Sequence, residues 1–168
     1  MIRECRPEDF ETMLRIINQG AAAYRAFIPP AEWQDPYMAA DELGGEIAAG
    51  VRFIGYAERG ELIGIMGLQD VHDVALIRHA YVLPGRQRRG VGSALHRELR
   101  SLTERPLLVG TWAGSSWAIR FYERHGYRVV PEAQREALLR RYWSVPDSQI
   151  AASIVLADER WARHRGAV

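Results

Sequence analysis

Between Tyr81 and Ser93 the chain reads Tyr-Val-Leu-Pro-Gly-Arg-Gln-Arg-Arg-Gly-Val-Gly-Ser. A strand-like apolar end runs into a basic, glycine-containing loop, and the loop opens a helical pattern. The start of a helix leaves backbone amides outside the hydrogen-bond ladder and carries partial positive charge, so it suits phosphate oxygens. Gly90 and Gly92 have no side chain to block a close approach, and Arg86, Arg88 and Arg89 add cationic charge. The plainer reading of the same residues is a strand-to-helix turn whose arginines face water. Two other phosphate motifs are excluded. Gly90-Val91-Gly92-Ser93-Ala94-Leu95 lacks the third glycine of a dinucleotide fingerprint and follows strands of antiparallel character. A Walker A loop needs a lysine, and all 22 basic residues here are arginine. That composition also removes any Schiff-base lysine mechanism.

The elements that must position this loop are legible from periodicity. Ile2 to Arg6 reads as a short strand. Pro7 opens a helix with Glu8 and Asp9 in its first turn, Phe10, Met13, Leu14 and Ile17 at helical spacing, and Gly20 as its stop. A proline-rich segment, Tyr24 to Tyr37, precedes a second helix over about 37–49. Val51 to Glu58 and Glu61 to Asp70 are strands joined by the tight turn Arg59-Gly60, and Val74 to Leu83 is a third. Then come a helix over 90–102, a strand over 107–112 and a helix over 115–125 stopped by Gly126. A strand over 127–130, a helix from Pro131 to Trp143 and a last strand over 150–157 follow. The last ten residues, with Arg160, Arg163 and Arg165, read as a frayed or exposed helix.

The motif Gln87-Arg88-Arg89-Gly90-Val91-Gly92 resembles the Q/R-x-x-G-x-G/A acyl-CoA signature of GNAT acetyltransferases. A second block, Trp117-Ala118-Ile119-Arg120-Phe121-Tyr122-Glu123-Arg124-His125-Gly126-Tyr127, resembles that family's A-x-x-F-Y-E-x-x-G-F/Y segment. The two stand in the family's order, about thirty residues apart, and the close resemblance spans roughly 51–130. It implies one domain over 1–168 of α/β (α+β) class: a mixed, mostly antiparallel sheet of about seven strands flanked by helices and splayed between strands 4 and 5.

The resemblance also implies an N-acetyltransferase in which a primary amine of a small molecule or peptide attacks acetyl-CoA directly. Backbone groups of Val82 would meet the pantetheine. Amides of Gln87, Arg88, Arg89, Gly90, Val91, Gly92 and Ser93 would hold the pyrophosphate, with Phe121 also on the cofactor. Ser115 stands where the family often has asparagine, and it would cap its helix and offer a hydroxyl to the cofactor. Tyr122 matches the tyrosine that protonates the departing thiolate. For the base that deprotonates the amine, His79 ranks first, with His72 near it, Asp70 close to both, Glu32 as a second candidate, and water chains as the family's other route. Strand alternation puts Leu76, Arg78 and Ala80 on one face and His79 on the other, unless a bulge shifts the phase. Tyr24, Trp33 and Tyr37, with Phe27, would line the acceptor pocket, and Trp112 and Trp143 would close it. The plainer alternatives are core packing for Tyr122 and the aromatics, and a structural role for His79.

A net charge of +1 argues against nucleic acid as a partner, and no apolar run is long enough for a membrane span. Cys5, the single cysteine, reads as a small core residue, and no metal is expected. The N-terminus lacks a signal-peptide pattern, so the cytoplasm is the default location. A homodimer is compatible with the expected fold. The alternative function is a non-catalytic acyl-CoA-binding sensor or interaction module.

Overall fold

Apolar residues crowd β2 (Arg52–Glu58) and β3 (Glu61–Val71), and the turn between them accounts for their pairing. Arg59 and Gly60 adopt φ of 52° and 88°, the left-handed pair that matches a hairpin's twist. The computed structural model describes residues 1–165. Seven strands form one mixed sheet in the order β1-β2-β3-β4-β5-β7-β6, with β1 (Ile2–Glu4), β4 (Val74–Val82), β5 (Leu107–Trp112), β6 (Arg128–Val129) and β7 (Ser153–Ala157). Helices flank the sheet, as expected for the α+β class. The chain forms two compact units.

The first unit comprises Met1–Ala23, Gln34–Asp70 and Ile77–Glu104. It holds α1 (Phe10–Ala21), α2 (Ala40–Ala48) and α3 (Val91–Ser101). Its core sets Met13, Ile16 and Ile17 of α1 against Leu43 of α2 and Phe53, Leu62 and Ile65 of the strands. Asp9 secures the N-terminal corner. Its carboxylate takes Arg3 Nη1 and Nη2 at 2.6 and 2.8 Å and the Arg6 amide at 2.8 Å. The Arg3 hydrogen bonds outweigh burial and hold the Asp9 carboxyl down at about 2. Asn18 ties α1 to the approach to α2, receiving the Met38 amide at 2.8 Å and donating to the Met38 carbonyl at 3.0 Å.

Gly20 does not stop α1, which runs on to Ala21. A Cβ at Gly20 would sit 2.7 Å from Cδ1 of Tyr81. The glycine is there for close packing on β4, a tertiary demand that imitates a helix-stop signal.

The second unit comprises Tyr24–Trp33, Val71–Leu76 and Arg105–Val168. Here the first residues of β4 run parallel to β5, with the Ala75 amide donating to the Pro106 carbonyl at 2.9 Å. β5 and β6 both pair antiparallel with β7. α4 (Ser116–Arg124) ends at Gly126, whose φ is 88°. Leu76, Leu108, Leu139 and Val155 are core residues, and Leu139 belongs to α5 (Glu132–Tyr142).

The expected last strand over 150–157 is half wrong. Its first residues form α6 (Asp147–Ala152), and only Ser153–Ala157 is strand. Pro146 lies just before the helix, Asp147 favours its positive end, and the Ile150 amide donates to the Pro146 carbonyl at 3.1 Å. Ile150 is buried in the core while Ala151 is exposed, but the apolar run of Ile150, Ala151 and Ala152 merges with the strand in a reading by hydropathy. The exposed C-terminal helix expected over the last ten residues corresponds to α7 (Glu159–Arg165), and 166–168 lie outside the described residues. Among the described residues no helix is long and apolar enough to cross a membrane.

Candidate active site

The first unit carries the phosphate-type loop. β4 ends at Val82, a single turn covers Pro84–Arg86, and α3 begins at Val91. Gly90 precedes α3 with φ 79°, and Arg88 has φ 61°. No side chain caps the helix, and the Ala94 amide is the first to return to it, bonding Gly90 O at 2.9 Å. The amides of Val91, Gly92 and Ser93 therefore precede the ladder. Residues 86–90 are exposed, while Val91 is buried and anchors the helix start. Gly64 allows this approach, since a Cβ there would lie 3.0 Å from Val91 and 3.1 Å from Val82. Arg86 reaches Glu58 at 2.6 Å and Arg89 the same carboxylate at 3.9 Å. The Gln87 side-chain amide donates to the Val82 carbonyl at 3.1 Å, which closes the loop onto the strand end.

The middle of β4 departs from regular alternation. His79 has φ 47° inside the strand, the left-handed region that L-residues avoid. Arg78 and His79, which a regular strand sends to opposite faces, both end on Glu46 of α2. Arg78 Nη2 is 2.7 Å from Oε1, and His79 Nε2 is 2.5 Å from Oε2. Arg78 Nη1 also donates to Gln69 Oε1 of β3 at 2.7 Å, and the His79 ring stacks near Phe53 of β2. Burial raises the Glu46 carboxyl, but the His79 and Arg78 hydrogen bonds and charges together outweigh it and lower it. Glu46 and Gln69 escaped the sequence reading. Glu46 is 33 residues from His79, and no local pattern links them.

The other base candidates lie elsewhere. His72 is in the second unit, at the β3–β4 turn, where its carbonyl takes Arg105 Nη1 at 2.7 Å. Glu32 accepts a hydrogen bond from the Ser148 hydroxyl. Asp73, beside His72, takes the Tyr142 hydroxyl and His164 Nε2, each at 2.8 Å.

The second unit carries the second motif. Ala118 and Tyr122 form the buried face of α4, and Tyr122 is 5% exposed. Its ring meets Phe121 and Tyr127 edge-on at 5.1 and 5.4 Å. Burial above all, then Tyr24 and Tyr127, pushes the Tyr122 hydroxyl well above its ordinary value, so it keeps its proton at neutral pH. Trp117 receives Tyr24 at 5.0 Å and Phe27 at 5.3 Å, and Arg25 lies over the Trp33 ring at 5.2 Å. Tyr37 belongs to the first unit and packs against its core. Trp112 is buried, and Trp143 packs over Gly110.

Ser115 does not cap α4 with its side chain. Its fully buried hydroxyl turns back to the Trp112 carbonyl at 2.5 Å and to Thr111 Oγ1 at 3.1 Å. That carbonyl, at the end of β5, also takes the Ser115 amide at 3.0 Å, so both donors of Ser115 fold back on Trp112.

Residues 49–129, which include both motifs, match the model of the acetyltransferase (GNAT) domain. Over this stretch, just under half of its length, the chain is similar to the GNAT acetyltransferase family. Solved structures resemble this chain in fold along most of its length. One is the PaiA N-acetyltransferase of Thermoplasma acidophilum in complex with coenzyme A, at 17% identity and TM-score 0.71, covering 94% of this chain and 97% of that one. Ard1 of Thermoplasma volcanium matches at 21% identity and TM-score 0.68, over 94% and 95%. The ribosomal-protein-S18-alanine N-acetyltransferase of Escherichia coli matches at 19% and 0.67, over 94% and 92%. No curated protein sequence matches this chain significantly.

Proposed function

We propose that the protein transfers the acetyl group of acetyl-CoA to a primary amine of a small molecule or peptide by direct attack. The observation that carries this reading is the start of α3: uncapped by any side chain, and preceded by an exposed loop that bears three arginines and ends in a left-handed glycine. Open amides and cationic charge at a helix start fit a pyrophosphate. The amides from Gln87 to Ser93 bind it, the backbone at Val82 meets the pantetheine, and Phe121 and Ser115 complete the donor side. Because Ser115 Oγ is bonded within its own turn, that residue acts through its backbone.

His79 takes one proton from the acceptor ammonium and passes it to water. The free amine attacks the thioester carbonyl, the C–N bond forms and the C–S bond breaks. Tyr122 gives its proton to sulfur, and the second proton lost from nitrogen restores it through solvent. One proton is released overall. Tyr24, Trp33 and Tyr37 contact the acceptor. The rings gathered on Trp117 favour a small amine of apolar or cationic character.

The test is thermal unfolding with acetyl-CoA, with ATP and acetate as controls, followed by thiol release with arylalkylamines, polyamines, aminoglycosides and peptide N-termini. At one hundred times Kd, linkage stabilises by about 2.7 kcal/mol. A shift for acetyl-CoA alone and turnover with an amine are expected. Binding without turnover on any amine would favour a non-catalytic acyl-CoA-binding module, and no shift would remove the cradle.

A further inference from the structure

The carboxylate of Glu46 is divided between two neighbours on one strand. Oε2 faces His79 Nε2 at 2.5 Å, and Oε1 takes Arg78 Nη2 at 2.7 Å. The arrangement closes into a ring. Arg78 continues to Gln69 Oε1 on β3 at 2.7 Å, and Gln69 Nε2 donates to the Ala49 carbonyl, just past α2, at 3.2 Å. Glu46 sits near the end of that same helix.

We propose that Glu46 is a positioning residue for His79, with Arg78 and Gln69 holding the carboxylate in place. The inference rests on the reading of His79 as the base. With Nε2–H donating to Glu46, the neutral ring presents its Nδ1 lone pair, and Nδ1 has no hydrogen-bond partner among the described residues. This is the tautomer a base requires, set by the bond made at the other nitrogen. The carboxylate then stabilises the imidazolium that forms when Nδ1 takes a proton.

The left-handed backbone at His79 belongs to the same device. It turns the imidazole to the side of the strand that Arg78 occupies, so one carboxylate serves both. A strained φ at a polar side chain persists where the surroundings over-determine it, and here three elements do. The charged groups facing His79 are Glu46 from α2 and Arg78 beside it, while β2 presents the uncharged ring of Phe53. Charge thus acts on His79 with both signs from known positions, which makes the proposal testable by direction.

The experiment is the pH profile of kcat/KM for acetyl transfer in wild type, Glu46→Gln, Arg78→Gln and His79→Gln, each with its acetyl-CoA thermal shift. Glu46→Gln removes the negative charge, so the acid limb should move to lower pH by about one unit, with an approximately tenfold lower plateau. Arg78→Gln removes the positive charge and should move the limb to higher pH. The two opposite displacements are a signature that loss of folding does not produce, and either variant alone decides the question if the other fails to fold. An acid limb unmoved in both, with His79→Gln abolishing it, overturns the role of Glu46 alone. A limb retained in His79→Gln overturns His79 as the base, and absence of acetyl-CoA binding in wild type overturns the functional reading itself.

Discussion

Arg78 and His79 are consecutive on β4, yet their side chains end on the two oxygens of one carboxylate, at 2.7 and 2.5 Å. Extended backbone places neighbours on opposite faces, so this pairing requires an irregularity. It is supplied by φ of 47° at His79. The consequence is chemical as well as geometric. An imidazole on a regular strand would have been left to whatever lay on the other face, whereas here it is held between a carboxylate and an aromatic ring.

Replacing Tyr122 by Phe should lower kcat about a hundredfold or more while changing KM for acetyl-CoA little, because a proton donor acts in the transition state rather than in binding. Burial, Tyr24 and Tyr127 hold its hydroxyl well above the ordinary value, so wild type should show no loss of donor protonation at neutral or mildly basic pH. Steady-state thiol-release assays from pH 6 to 10 check both points. Equal kcat in the two proteins would return Tyr122 to the core.

Gly90→Ala places a side chain at φ 79°, and the left-handed conformation costs a non-glycine residue about 1–2 kcal/mol. The expected result is a Tm lower by about 2–8 °C and a smaller stabilisation by acetyl-CoA. Gly85→Ala is the control, since a Cβ there meets nothing within 4 Å. If both variants respond alike to acetyl-CoA, the left-handed glycine is not part of the cradle.

Asp9→Asn should cost about 2 kcal/mol at pH 7, and the cost should vanish in acid. The folded carboxyl is depressed from 3.8 to about 2, chiefly by Arg3, a difference of about 1.8 units at 1.36 kcal/mol each. A depressed carboxyl stabilises the fold above its unfolded value and loses that contribution as pH falls. Urea unfolding of both proteins should therefore converge between about pH 4 and pH 2. A gap that persists at pH 2 would mean that packing, not charge, explains the loss.

Two glycine-to-alanine changes in helices should have opposite signs. At Gly20 the new methyl would stand 2.7 Å from Tyr81, an overpacking that costs about 1–3 kcal/mol. At Gly45, exposed on α2 with nothing within 4 Å, alanine should stabilise by about 0.5–1 kcal/mol. Paired thermal melts measure the contrast directly.

Much of the fold was legible because its signals are local. Arg59-Gly60 announces the β2–β3 hairpin with two residues, and Leu107 to Trp112 has the bounds the strand takes. The phosphate-type loop and the Phe121-Tyr122 segment were found the same way, as short motifs on adjacent turns. Misreadings arose where one residue type serves two causes. Gly20 imitates a helix stop although its role is contact with Tyr81, and Ile150 imitates a strand although Pro146 opens a helix before it. Ser115 has the chemistry of a cap but bonds the Trp112 carbonyl instead.

By itself, then, the sequence determined the order of most elements, the glycine-arginine loop before α3 and the tyrosine on α4, since these depend on spacings of a few residues. Only the tertiary structure decided what His79 faces. Glu46 lies 33 positions away, on another element, and no periodicity carries information over that distance. The pairing exists because a local distortion of β4 and the packing of α2 meet at one carboxylate.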